Sequence, residues 1–142
     1  NNVQNNPLVF NWEDATVSAG EVSQTSDNFT ATVVSDSDNL ILEGTTNKTI
    51  KNDSATPLEQ KITINFSPSI DIASLFLLND TDDTGTIDLT ISGGGSNSEE
   101  VTSLDKTGET IDLGWKNISS LTIEGKDGVT TAYKLGIRQI QF

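Results

Sequence analysis

The chain has 142 residues, 21 acidic against 8 basic, for a formal charge of −13, and seven carboxylates precede its first cation, Lys48. Such a surface repels phosphate backbones and anionic lipid, which excludes nucleic acid and membrane as partners. With no Cys and no His, disulfides, thiol or Ser-His-Asp catalysis and His- or Cys-bound zinc are excluded as well.

The length predicts one domain, residues 1–142, with a polar lead-in over 1–7. Leu8, Phe10 and Trp12 share one face of a first strand. Thr16-Val17-Ser18 extends the pairing. Phe29, Ala31 and Val33 alternate with threonines in a second clear strand. Asp36 to Asn39 reads as a turn, Leu40 to Leu42 as a short buried strand, and Thr49 to Lys51 as a weaker one. Ile62, Ile64 and Phe66 alternate until Pro68, which is expected to stop the strand. Ile72 to Leu78 is a continuous apolar run suited to a strand covered on both faces. Ile87, Leu89 and Ile91 alternate next. Val101 and Leu104, then Ile111 and Leu113, mark two short strands, and Asn117 to Glu124 another. The last strand is Tyr133 to Phe142. Its phase slips after Ile137, which predicts a bulge near Arg138-Gln139. The sum is an antiparallel jelly-roll-like β-sandwich of about ten short strands.

Two features carry chemistry. Asp80, Asp82 and Asp83, in the loop Asn79 to Gly85, supply the closely spaced oxygens that calcium prefers, so a structural calcium is the candidate cofactor. An EF-hand match is incomplete, because the twelfth position is Ile91 where a bidentate Glu belongs; an acidic hairpin turn is the other reading. Asp36 and Asp38 are a weaker second pair. The second feature is Trp115, flanked by Gly114, Lys116 and Asn117 in an apparent loop. An aromatic ring matches the apolar C–H face of a sugar, and Lys116, Asn117 and Asp112 are placed to hydrogen-bond hydroxyls. The alternative is that Trp115 folds back as a lid on the core. Trp12, in phase with Leu8 and Phe10, is expected in the core, and Tyr133 suits either role. No carboxylate pair stands out as catalytic.

The two ends carry a resemblance. Phe10-Asn11-Trp12-Glu13-Asp14 and Leu135-Gly136-Ile137-Arg138-Gln139-Ile140-Gln141-Phe142 resemble the bracketing strands of galactose-binding-like β-sandwiches, many of them carbohydrate-binding modules of secreted bacterial polysaccharide-degrading enzymes. The resemblance implies a secreted, non-catalytic module that binds polysaccharide, holds an attached catalytic domain near it and works as a monomer. The alternative is a structural or adhesive module of a bacterial surface protein, stabilised by calcium. The family's final-strand Asp, part of a calcium site, is Arg138 here. Arg138 is therefore expected to pair with Glu13 or Asp14 in place of the metal.

Overall fold

Two long antiparallel strands, β8 (Lys61–Asn79) and β11 (Glu109–Gly125), form the spine of the protein. The computed structural model describes residues 8–80, 85–126 and 132–142. Among these there is no helix, and the remaining strands are β1 (Val9–Phe10), β2 (Thr16–Ser18), β3 (Glu21–Ser26), β4 (Phe29–Ser35), β5 (Leu40–Glu43), β6 (Thr49–Asn52), β7 (Leu58–Glu59), β9 (Ile87–Gly93), β10 (Ser98–Leu104), β12 (Ala132–Tyr133) and β13 (Leu135–Gln141). Every pairing is antiparallel.

The first half of β8 pairs with β4, while its second half pairs with β13. β11 follows β8 along both halves and carries β9 and β10 on its far side. One layer is thus β2-β3-β4-β8-β11-β9-β10 and the other β11-β8-β13-β6-β5, with β1 on the end of β13. The expected sandwich is present, with thirteen strands among the described residues instead of about ten, while β8 and β11 run on through Pro68 and through Leu113 to Asn117. Pro68 does not end its strand. It lies in the interval where the β8–β11 register shifts, between the Asn65–Ser120 and Ile70–Ile118 pairs, and a residue without an N–H costs no ladder bond there.

Two hairpins have two-residue turns with both residues at positive φ: Ala19-Gly20 between β2 and β3, and Asp27-Asn28 between β3 and β4. That is the turn whose twist matches a right-handed hairpin. The core lies between the layers and includes Phe10, Trp12, Val33, Ile64, Leu77, Ile91, Ile123, Tyr133 and Ile140, all fully buried. Burying each large apolar side chain contributes about 1.5–3 kcal/mol. Trp12 is a core residue as its phase predicts, stacked 5.9 Å from the Phe10 ring. Tyr133 is too, with its hydroxyl 2.8 Å from the Gln60 carbonyl and 2.9 Å from that of Ile123.

The predicted bulge in the last strand is present. Ile137 opposes Leu77 and Gln139 opposes Phe76, leaving Arg138 as the extra residue. It restores the inward phase, so Leu135, Ile137 and Ile140 are all buried.

Candidate functional site

The segment Leu113 to Asn117 is not a loop between strands. It is part of β11, broken by register shifts on either side of Trp115, with Gly114 and Asn117 at positive φ. Each inserted residue re-aims its neighbours. The shifts turn Trp115 inward, leaving it 9% exposed, with the six-membered half of its ring against Gly93. Of the two readings open for this residue, the geometry is that of the core lid. The same shifts turn Lys116 and Asn117 outward, where they close on Asp71 of β8. The Asn117 N–H donates to Asp71 Oδ1 at 2.9 Å, and Lys116 Nζ lies 3.7 Å from Oδ2.

Asp71 stands at the rim of an open cavity of about 320 Å³, lined with Leu8, Phe29, Ser69, Ile70 and Phe142. Phe29 opens β4, directly after its hairpin turn. Phe142 is held by reciprocal backbone hydrogen bonds with Leu8, at 3.0 and 2.8 Å. Its ring stacks on Phe10 at 4.6 Å and meets Phe29 edge-on at 5.4 Å, and both Phe29 and Phe142 stay partly exposed. Aromatic faces thus stand beside a carboxylate and a hydroxyl, and the carboxylate meets the Lys116 ammonium. Such a surface can take an apolar face with hydroxyls at its edge. Sequence reasoning missed Phe29, Ser69, Asp71 and Phe142. Phe29 and Phe142 were in phase with buried neighbours, and only the packing of strand ends shows that they fall short of full burial.

Asp112 does not join this group. It lies opposite Ser74, which in turn opposes Gln141, and the next rung on the same face is Thr110, Phe76 and Gln139. Cross-strand partners project to one face. Asp112 therefore belongs to the outer face of the second layer, and it also borders an acidic groove with Glu99, Glu100 and Glu109.

Arg138 stands on that outer face as well, and here the expectation fails. It does not pair with Glu13 or Asp14. Its Nε donates to Thr49 Oγ1 at 3.2 Å and its guanidinium carbon lies 5.7 Å from the Phe76 ring centroid. The bulge aims it toward β6, whereas Glu13 is bound by Asn11 at 2.9 Å.

Of the acidic loop, Asp82 and Asp83 lie outside the described residues. Asp80 sits 3.6 Å from Lys51 Nζ, which also meets Glu43 at 2.5 Å. The hydrogen bond that Lys51 donates to Glu43, with the nearby Asp80 and Glu43 charges, raises the Lys51 pKa against a smaller effect of burial. Among the described residues, the ion-pair partner of Asp80 is thus the Lys51 ammonium. No cluster of three or more potential metal ligands occurs among the described residues. Asp36 and Asp38 act as turn caps, accepting from the N–H groups of Lys61 and Ser54 at 2.8 Å each.

No family model matches the sequence, and no curated protein matches it. Solved structures do match. A family 32 carbohydrate-binding module of a family 31 glycoside hydrolase, bound to GalNAc, aligns with a TM-score of 0.50 at 16% identity, covering 79% of this chain and 95% of that one. The family 32 module of NanJ from C. perfringens, in complex with galactose, aligns at 0.46 and 13% identity, over 75% and 92% of the two chains. Another from a family 31 glycoside hydrolase of Clostridium perfringens aligns at 0.43 and 15%, over 66% and 75%. The chain shares the β-sandwich fold of the GalNAc-bound family 32 module. The β-sandwich that its end strands pointed to is therefore the observed one, shared at the level of fold.

Proposed function

We propose that this chain is a non-catalytic carbohydrate-binding module that holds an attached polysaccharide-degrading enzyme of a secreted bacterial protein near its substrate. The observation that carries the reading is the pair of partly exposed rings, Phe29 and Phe142, beside Asp71 and its partners Lys116 and Asn117. A pyranose would lay its C–H face on the rings and offer hydroxyls to Ser69, Asp71 and Lys116. The shared fold supports it, since the module with a TM-score of 0.50 is bound to GalNAc. Function would arise from effective concentration: a tethered enzyme stays near the polymer for as long as the module is bound.

The test is affinity electrophoresis and a glycan array with GalNAc- and galactose-terminated glycans, comparing the parent chain with Phe142→Ala and Asp71→Asn. Retardation of the parent that weakens in both variants is expected. If no glycan binds the folded parent, the reading fails.

A structural or adhesive module is the second reading, favoured by the burial of Trp12, Trp115 and Tyr133. In that reading a calcium ion at the loop that begins with Asp80 would add stability, and a chelator would lower the melting temperature.

A further inference from the structure

We propose that the outer face of the second layer holds a separate subsite for an acidic sugar residue, centred on Arg138 and Phe76. The inference rests on the carbohydrate-binding reading but uses none of its residues.

Arg138 is the one Arg of the chain, in a protein with 21 carboxylates. Among the described residues none of those carboxylates forms an ion pair with it. It is held all the same. As the extra residue of the β13 bulge it points away from the core, Thr49 accepts from its Nε, and the Phe76 ring lies beneath the guanidinium. Thr49 and Phe76 therefore restrict the side chain before any ligand arrives, which lowers the ordering cost of binding. The outward-facing nitrogens of the fork are left for an incoming anion.

The surroundings match a sugar that carries one negative group. Asn47, Phe76, Arg138 and Gln139 line an open cavity of about 220 Å³. Phe76 is partly exposed in an otherwise covered stretch of β8, and offers an apolar surface. The amides of Gln139 and Asn47, 3.4 Å apart, supply donors and acceptors for hydroxyls. A guanidinium is the side chain whose planar fork pairs with a carboxylate or sulfate through two hydrogen bonds. A free small anion would leave the ring unused, and a neutral sugar would leave the charge unpaired. The ligand class is a pyranose bearing a carboxylate or a sulfate, within a sparsely charged polymer that the overall charge of −13 tolerates.

The test is affinity electrophoresis of the 142-residue chain at low ionic strength. The polymers are a largely methyl-esterified polygalacturonate with sparse free carboxylates, its fully esterified neutral form, a sparsely sulfated galactan and a neutral galactan. Retardation by the polygalacturonate with free carboxylates or the sulfated galactan is expected, and which of them acts distinguishes carboxylate from sulfate. The fully esterified form should not retard. Arg138→Gln should weaken binding to the active polyanion at least about tenfold, the value of a charge-assisted hydrogen bond pair. Arg138→Lys, which keeps the charge without the fork, should fall between the two. Melting curves confirm that the variants fold. The proposal is overturned if neither polyanion retards the parent, or if folded Arg138→Gln binds as the parent does. Binding of neutral galactan without polyanion would sink this subsite and leave the rings of Phe29 and Phe142 in place. Arg138-dependent polyanion binding that survives Phe142→Ala, with no neutral binding, would do the reverse.

Discussion

Asn52 and Gln60 face each other in the interior and exchange two hydrogen bonds: Asn52 Nδ2 donates to Gln60 Oε1 at 2.8 Å, and Gln60 Nε2 to Asn52 Oδ1 at 2.7 Å. Gln60 Nε2 also donates to the Tyr133 carbonyl at 2.9 Å, and Ser35 Oγ to Gln60 Oε1 at 2.8 Å. One amide thus ties β4, β6 and β12 together. Gln60→Leu strands three polar partners at once and should cost about 2–3 kcal/mol in urea unfolding. Adding Asn52→Leu should cost less than the sum of the two single changes, because the second substitution removes a group the first has already stranded. An additive double variant would show that the pair does not act as a unit.

Tyr133 gives the protein an alkaline limit. Burial, and after it the Asp36 and Glu124 charges, push its phenol well above the ordinary 10.0. The folded state therefore favours the protonated, neutral ring. That stability is fully present below pH 10.0 and is lost as the pH rises beyond it, since only the unfolded chain ionises readily. As the only Tyr in the chain, it should show no phenolate absorbance until unfolding begins, and the two signals should then coincide. A phenolate that appears in still-folded protein would contradict this.

Trp115 is expected to matter for stability. Trp115→Ala should lose about 3–5 kcal/mol, as for other buried aromatics. Gly93→Ala tests the same packing from the other side, because a Cβ there would lie 2.9 Å from Trp115 Cε3. It should cost about 1–3 kcal/mol by overpacking. Both are read from denaturant midpoints. Tryptophan emission of the parent should be blue-shifted, poorly quenched by solute and unchanged by saccharide, since Trp12 and Trp115 are both buried.

Asp71 separates charge from structure. Asp71→Asn keeps an acceptor for the Asn117 N–H and removes the ion pair with the exposed Lys116, so stability should change by no more than about 1 kcal/mol. Asp71→Ala uncaps the bulge and should cost about 1 kcal/mol more. If neutral-glycan retention falls in both while the melting temperature drops only in the second, Asp71 contributes to binding through its charge.

The strands with strong alternation were readable as they stand. Ala31 and Val33, Ile62 to Phe66, Leu89 and Ile91, and Leu135 to Ile140 all fall on the predicted faces, and the bulge at Arg138 was visible as a slip in phase. β3 was not. Its sequence, Glu21-Val22-Ser23-Gln24-Thr25-Ser26, offers one apolar residue, and its second inward position is the buried Gln24. The loop assignment of Leu113 to Asn117 failed because bulges break the alternation that marks a strand while leaving the strand intact. Of the candidate binding residues, Lys116 and Asn117 meet Asp71, which lines a cavity with Phe29 and Phe142, whereas Trp115 is buried.

Sequence alone determined the class of fold and excluded whole chemistries, because a period of two and the absence of Cys and His are properties of the chain itself. Tertiary structure decided which aromatics stay in reach of a ligand. Phe10, Trp12, Phe29, Phe76, Trp115 and Phe142 look alike in composition, yet Phe10, Trp12 and Trp115 are buried while Phe29, Phe76 and Phe142 stay partly exposed. Exposure is set by register shifts and by strands far apart in sequence. Arg138 is the clearest case: its position in the chain suggested a carboxylate partner, and one extra residue in the ladder aimed it at Phe76.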